Sequence, residues 1–286
     1  MKIVVGVDDS EPSKAALRFA AEEAAVGDAE LVAVTAWDLP PLALGYVSPG
    51  DARESMGPWL DGVVREVLGA AGDSVTKVVE TGSPSGALLR TAKDADLLVV
   101  GSRGHGALLG AILGSVSHQV ANHTPCPLTV VPHEDDEAAR TGPVVVGVDG
   151  SANSAEALRW AAARALRLGR QLRVVMAWRG DPVGWFPPSD VASTWPDNDD
   201  FHAQARQMLA EVVEEARLPG SLAVEQVLGE GTPAAVIGEV LDDASMLVLG
   251  ARGRGGFVGL LLGSVTAHLL NHPTCPITVV PSGDAR

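Results

Sequence analysis

Apolar positions along this chain come in two alternating kinds of segment. Short continuous runs such as Ile3-Val4-Val5 and Leu97-Leu98-Val99-Val100 have no polar face, as strands buried on both sides require. Between them lie longer stretches in which apolar residues recur every three or four positions, the period of a helix with one buried face. The first half thus predicts a strand over 2–8, a helix over 12–26, a strand over 30–37 and a loop over 38–50. A helix over 51–71, a strand over 74–80, a helix over 84–94 and a strand over 96–101 follow. A glycine-rich loop, a helix over 115–123 and a strand over 127–132 complete the half. Alternation of this kind implies an α/β fold, doubly wound, with a parallel sheet and helices on both faces.

The pattern then repeats. Val5-Gly6-Val7-Asp8-Asp9-Ser10 matches Val146-Gly147-Val148-Asp149-Gly150-Ser151, and Thr35-Ala36-Trp37 matches Met176-Ala177-Trp178. Gly82-Ser83-Pro84 matches Gly231-Thr232-Pro233, and Asn122-His123-Thr124-Pro125-Cys126-Pro127 matches Asn271-His272-Pro273-Thr274-Cys275-Pro276. Early pairs are offset by 141 residues and late pairs by 149, so the second copy holds eight extra residues between Trp178 and Gly231. The reading is a tandem: domain one over 1–133, an acidic linker over 134–142 and domain two over 143–286. At 286 residues the chain is long enough for two domains of about 150 each. The loop from Arg179 to Asp199 carries four prolines, two tryptophans and a phenylalanine, and is read as a surface or inter-domain contact.

Composition narrows the function. A hydrophobic content of 46% with 4% aromatics suits aliphatic cores of parallel sheets. A net charge of −15 argues against nucleic acid or an anionic membrane as partner, so an anionic small ligand must be held by local features. Cys126 and Cys275 are the only cysteines and read as small buried residues, since a disulfide framework or zinc site needs more ligands at closer spacing. The chain enters its first strand directly, without a secretory leader, and holds no apolar run of the ~18 residues a membrane helix needs. A soluble, cytoplasmic protein is expected.

The candidate chemistry lies where the fourth strand of each copy ends. Gly101-Ser102-Arg103-Gly104-His105-Gly106 runs on to Gly114-Ser115-Val116, and Gly250-Ala251-Arg252-Gly253-Arg254-Gly255 runs on to Gly263-Ser264-Val265. In both copies nine residues separate the second glycine of the loop from the Gly-Ser pair. Glycine lets backbone amides approach a ligand, and the following helix start offers unpaired N–H groups and a positive dipole end, all of which favour phosphate. Arg103 and Arg252 supply a cation inside each loop. The motif is neither a Walker loop nor a dinucleotide fingerprint. Chain reversal alone is the competing reading for a single copy, and two copies at identical spacing weigh against it.

Other residues read in the same way. Asp8 and Asp149 end the first strand of each copy and read as carboxylates at the ligand edge, available to a ribose, a base or a metal. Ser10 and Ser151 read as helix caps, Ser115 and Ser264 as caps that also face phosphate, and His123 and His272 as cations at helix ends. His105 aligns with Arg254, and His118 with Ala267, so imidazole catalysis is not expected. No base, lysine and metal-carboxylate set of the kind phosphoryl transfer uses occurs in both copies, which favours binding with little or slow hydrolysis over turnover. The catalytic residues are therefore expected to be none.

With these motifs laid out, the chain resembles the universal stress protein family, in its tandem, ATP-binding form. The match rests on Gly101, Gly104, Gly114 and Ser115, on Gly250, Gly253, Gly263 and Ser264, on the Val-Asp after the first strand and on the final Pro-Leu-Thr-Val-Val-Pro strand. The resemblance implies two five-stranded, Rossmann-like parallel sheets with ATP, commonly with Mg²⁺, across the strand ends. It puts Gly6, Val7 and Asp8, and Gly147, Val148 and Asp149, beside the adenosine, with Ala36 and Ala177 near the adenine. It also implies pairing through the last strands, Leu128–Pro132 beside Ile277–Pro281, as an internal pseudo-dimer or in a homodimer. The activity implied is regulation of stress response or growth through a protein partner. The alternatives are an ATP-cleaving enzyme of the nucleotide α-hydrolase type, against which the Val-Asp-Asp-Ser and Val-Asp-Gly-Ser loops speak, or a scaffold with vestigial sites.

Overall fold

The computed structural model describes residues 1–37, 49–104, 113–132, 141–179, 198–254 and 261–283. The first repeat runs β1 (Lys2–Gly6), α1 (Glu11–Gly27), β2 (Glu30–Trp37), α2 (Pro49–Leu68), β3 (Thr76–Thr81), α3 (Pro84–Thr91), β4 (Leu97–Gly101), α4 (Ser115–His123) and β5 (Leu128–Val131). The second runs β6 (Val144–Gly147), α5 (Ala152–Leu168), β7 (Leu172–Trp178), α6 (Asn198–Glu215), β8 (Val224–Glu230), α7 (Pro233–Gly238), β9 (Met246–Gly250), α8 (Ser264–Asn271) and β10 (Ile277–Val280).

Local chemistry accounts for the long helices. Ser10 and Ser151 precede α1 and α5, and their hydroxyls accept from the amides of Ser13 and Ser154, as cap residues do. At the other ends Asp28 and Gly169, counterparts in the repeat, take the same left-handed conformation, φ 46° and 62°.

All ten strands form one sheet, in the order β3-β2-β1-β4-β5-β10-β9-β6-β7-β8. Within each repeat the neighbours are parallel, and the chain winds outward from β1 to β2 and β3, then returns through β4 and β5. The repeats join at β5 and β10, which pair antiparallel with Thr129 opposite Thr278. Successive side chains of a strand face opposite ways, so the sheet carries two cores. Ile3, Val5, Val99, Val146 and Val248 pack under α1, α2, α5 and α6. Val4, Leu98, Val130, Val145, Leu247 and Ile277 pack under α3, α4, α7 and α8. Both cores run unbroken across the seam. No described helix is long and apolar enough to cross a membrane.

Candidate functional site

In a sheet wound this way, the crevice opens at the carboxyl ends of the strands where the winding reverses, here between β1 and β4 and between β6 and β9. The glycines that end β4 and β9 have a role the sequence did not reveal. A Cβ on Gly101 would stand 2.6 Å from the carbonyl carbon and oxygen of Pro12, and one on Gly250 would stand 2.8 Å from Oδ1 of Asn153. These two glycines let the first helix of each repeat close over the strand. Their first duty is packing, although both border the crevice.

The next glycine meets the aspartate. A Cβ on Gly104 would collide with Oδ2 of Asp8, and one on Gly253 with Oδ2 of Asp149. Asp149 uses both oxygens on backbone: Oδ1 accepts from the Ser151 amide at 3.0 Å and Oδ2 from the Arg254 amide at 2.7 Å. Oδ1 of Asp8 accepts from the amide and the hydroxyl of Ser10, at 3.1 and 2.6 Å. In the second repeat the carboxylate read as a ligand group therefore clasps the glycine loop to the end of the first strand. Burial pushes the Asp149 carboxyl up, but hydrogen bonds from Ser151, the Arg254 amide and Ser154 outweigh it and hold it below its usual range. Asp9 and Gly150, unlike in sequence, share a left-handed backbone at φ 64° and 75°, which explains why only short polar residues or glycine stand there.

The Gly-Ser pairs open α4 and α8, with one correction. The cap positions belong to Gly114 and Gly263, without a side-chain capping bond, while Ser115 and Ser264 are the exposed first helical residues. The expected serine caps are thus absent, and the amides of the first turn are left for a ligand or water. Neither glycine has an unusual backbone, φ −67° and −71°, and a Cβ on either would meet nothing closer than 3.4 Å. The fold itself makes little demand for glycine there.

Two cavities result. The first, about 700 Å³, is lined by Gly6, Val7, Asp8, Ala36, Gly101, Arg103, Gly104, Gly114, Ser115 and Val116 among others. The second, about 490 Å³, has Gly147, Val148, Asp149, Ala177, Gly250, Arg252, Gly253, Gly263, Ser264 and Val265 on its walls. Both volumes suit a small-molecule ligand. Of the residues expected to hold the nucleotide, only Gly106 and Gly255 are missing from these walls, and they lie outside the described residues, as do His105, Trp185 and Trp195. Most of the linker and of the proline-rich loop also fall outside them.

Sequence reasoning missed part of the wall. Pro84 and Pro233 line the cavities, as do Ser117 and Thr266, whose hydroxyls donate to the carbonyls of Gly101 and Gly250 at 2.7 and 2.9 Å and so tie each helix to its strand. Their repetition in both copies was the available signal. Thr35, His118 and Gln119 border the first cavity, where Met176, Ala267 and His268 are the counterparts in the second repeat, so the two walls differ in chemistry. His123 and His272 sit at the helix ends, their Nδ1 atoms 3.0 and 3.2 Å from the carbonyls of Gln119 and His268. Cys126 and Cys275 are both buried, and neither takes part in a disulfide.

Comparison with known proteins agrees with this architecture. The model of the universal stress protein family matches residues 1–132 and again residues 141–281. A universal stress protein of Mycolicibacterium smegmatis is 34% identical over 292 residues, covering 97% of this chain and 96% of its own. A universal stress protein of Mycobacterium tuberculosis H37Rv is 32% identical over 296 residues, covering 97% and 95%. The crystal structure of a universal stress protein from Archaeoglobus fulgidus superposes with a TM-score of 0.69 at 22% identity, over 99% of this chain and 98% of that one.

Proposed function

The chain belongs to the universal stress protein family, in a form with two such domains in tandem, and from that premise we propose that it binds ATP in both cavities. The bound nucleotide regulates contacts with a protein partner, and the chain is at most a weak ATPase. One observation supports this above all. Seventeen matched positions of the two repeats line the two cavities, and they include a glycine that neither backbone conformation nor packing requires, at the open end of a helix. Close approach of a phosphate to that helix end supplies the reason.

The parts divide as follows. Val7 and Ala36, and Val148 and Ala177, offer apolar surface for a base. Arg103 and Arg252 offer a fixed cation for the phosphate chain, which the −15 net charge of the protein would otherwise repel. Mg²⁺ fits as a companion of the phosphates, because it keeps water and phosphate oxygens as ligands and asks few groups of the protein. Both oxygens of Asp149 are engaged by amides, which suits a residue that shapes the loop better than one that activates water.

The experiment is to denature the purified protein, identify the small molecules released by mass spectrometry and count them per chain. Adenine nucleotide approaching two per chain is expected. ATP at about 100 times its Kd should also stabilise the fold by about 2.7 kcal/mol for a single site. Repeated absence of nucleotide, together with no ATP-induced thermal shift, overturns the proposal.

A further inference from the structure

The seam between the repeats is a pseudo-two-fold arrangement in which matched residues meet. Thr129 and Thr278, offset by 149, face each other across β5 and β10. Glu23 of α1 and Arg164 of α5, offset by 141, are likewise counterparts, and they form a salt bridge. Their side chains are only 4% and 3% exposed. The same position on the axis thus carries opposite charges in the two copies.

The strands at the seam cannot tell the copies apart. β5 reads Leu-Thr-Val-Val and β10 reads Ile-Thr-Val-Val, so the edge of either repeat could pair as well with itself in a second chain. The helices can discriminate. The end of α1 carries Glu22 and Glu23, whereas the end of α5 carries Arg164 and Arg167, and Nη1 of Arg167 lies 3.2 Å from the sulfur of Met1 in the first repeat. Acidic residues near a helix C-terminus oppose the helix dipole, so the dipole does not account for Glu23 at this position. Nor is the pair built for stability: Nε and Nη1 of Arg164 are buried without a hydrogen-bond partner among the described residues. A buried ion pair often contributes less than an apolar pair would, while a buried unmatched charge is costly.

We propose that Glu23 and Arg164 encode the pairing of the repeats. The first repeat accepts, across its β5 edge, only a domain of this fold with a cation at the position of Arg164. Self-pairing of either repeat would bury Glu23 against Glu23 or Arg164 against Arg164. The two halves therefore choose each other, and the edge strands are closed to like copies.

The test uses the full chain with Glu23→Arg, Arg164→Glu and the combined swap. Each single reversal should lower the thermal midpoint by roughly 6–20 °C, and the swap should regain it. Mixing the two single variants should give a 1:1 species of two chains, seen by native mass spectrometry with distinguishable tags. In that species the first repeat of each chain pairs with the second repeat of the other. Both seams then bury opposite charges, one of them between the two substituted positions, and the midpoint recovers. If the single variants are insoluble, co-expression of the two replaces mixing, and a soluble 1:1 complex is the expected result. The proposal falls if a single reversal costs no stability, if the swap stays as weak as the single variants, or if neither mixing nor co-expression yields the 1:1 species.

Discussion

The hydroxyls of Thr129 and Thr278 lie 2.8 Å apart, each fully buried and each the other's counterpart in the repeat. One of them donates to the other at the centre of the seam. Thr129→Val or Thr278→Val alone leaves one buried hydroxyl unpaired and should cost about 1–3 kcal/mol, whereas the double Val variant should be nearly neutral. Chemical denaturation of the three variants as a double-mutant cycle measures this, and equal, additive losses would contradict it.

Gly101 and Gly114 should respond oppositely to alanine. At Gly101 the new Cβ runs into the backbone of Pro12 at 2.6 Å, so Gly101→Ala should destabilise the fold by about 1–3 kcal/mol. At Gly114 the nearest atoms are at 3.4 Å and φ is ordinary, so Gly114→Ala should change stability by less than about 1 kcal/mol. Its effect should appear instead as a smaller ATP-induced thermal shift. Thermal unfolding of both variants, with and without ATP, separates the two roles.

Acid should loosen the second site. The Asp149 carboxyl titrates below its usual value in the folded protein, so the folded state gains stability from it above the unfolded value of about 4. That gain is lost as pH falls through the folded value. Asp149→Asn should lower the thermal midpoint at about pH 7, and the gap to the unsubstituted chain should narrow on acidification to about pH 3. A gap that stays constant with pH would show that the charge plays no part.

The cysteines should be inert until the protein unfolds. Burial pushes the Cys126 thiol up to about 11, and Cys275 is equally buried, 5% exposed. Iodoacetamide at about pH 8 should add nothing to the native chain and two adducts in denaturant, as read by intact mass.

Much of this protein is written locally. Strand and helix periods, the caps at Ser10 and Ser151 and the matched glycine loops depend on neighbours in sequence, and β1 to β5 fall within a few residues of where those patterns put them. The cavity walls were legible for a related reason: in a doubly wound sheet the residues that end β1 and β4 must share one edge.

What a residue faces across a long separation is a different matter. Gly101 and Gly114 look alike in sequence, yet one is pressed against Pro12 and the other opens to the crevice. Asp8 and Asp149 read only as carboxylates at the ligand edge, and the packing of the glycine loop against them appears only in the fold. Glu23 and Arg164 pass for solvated charges on helices until the antiparallel join of β5 to β10 brings α1 against α5 and removes the water between them. Periodicity reports which side of an element is buried. Only the order of strands in the finished sheet decides what it is buried against.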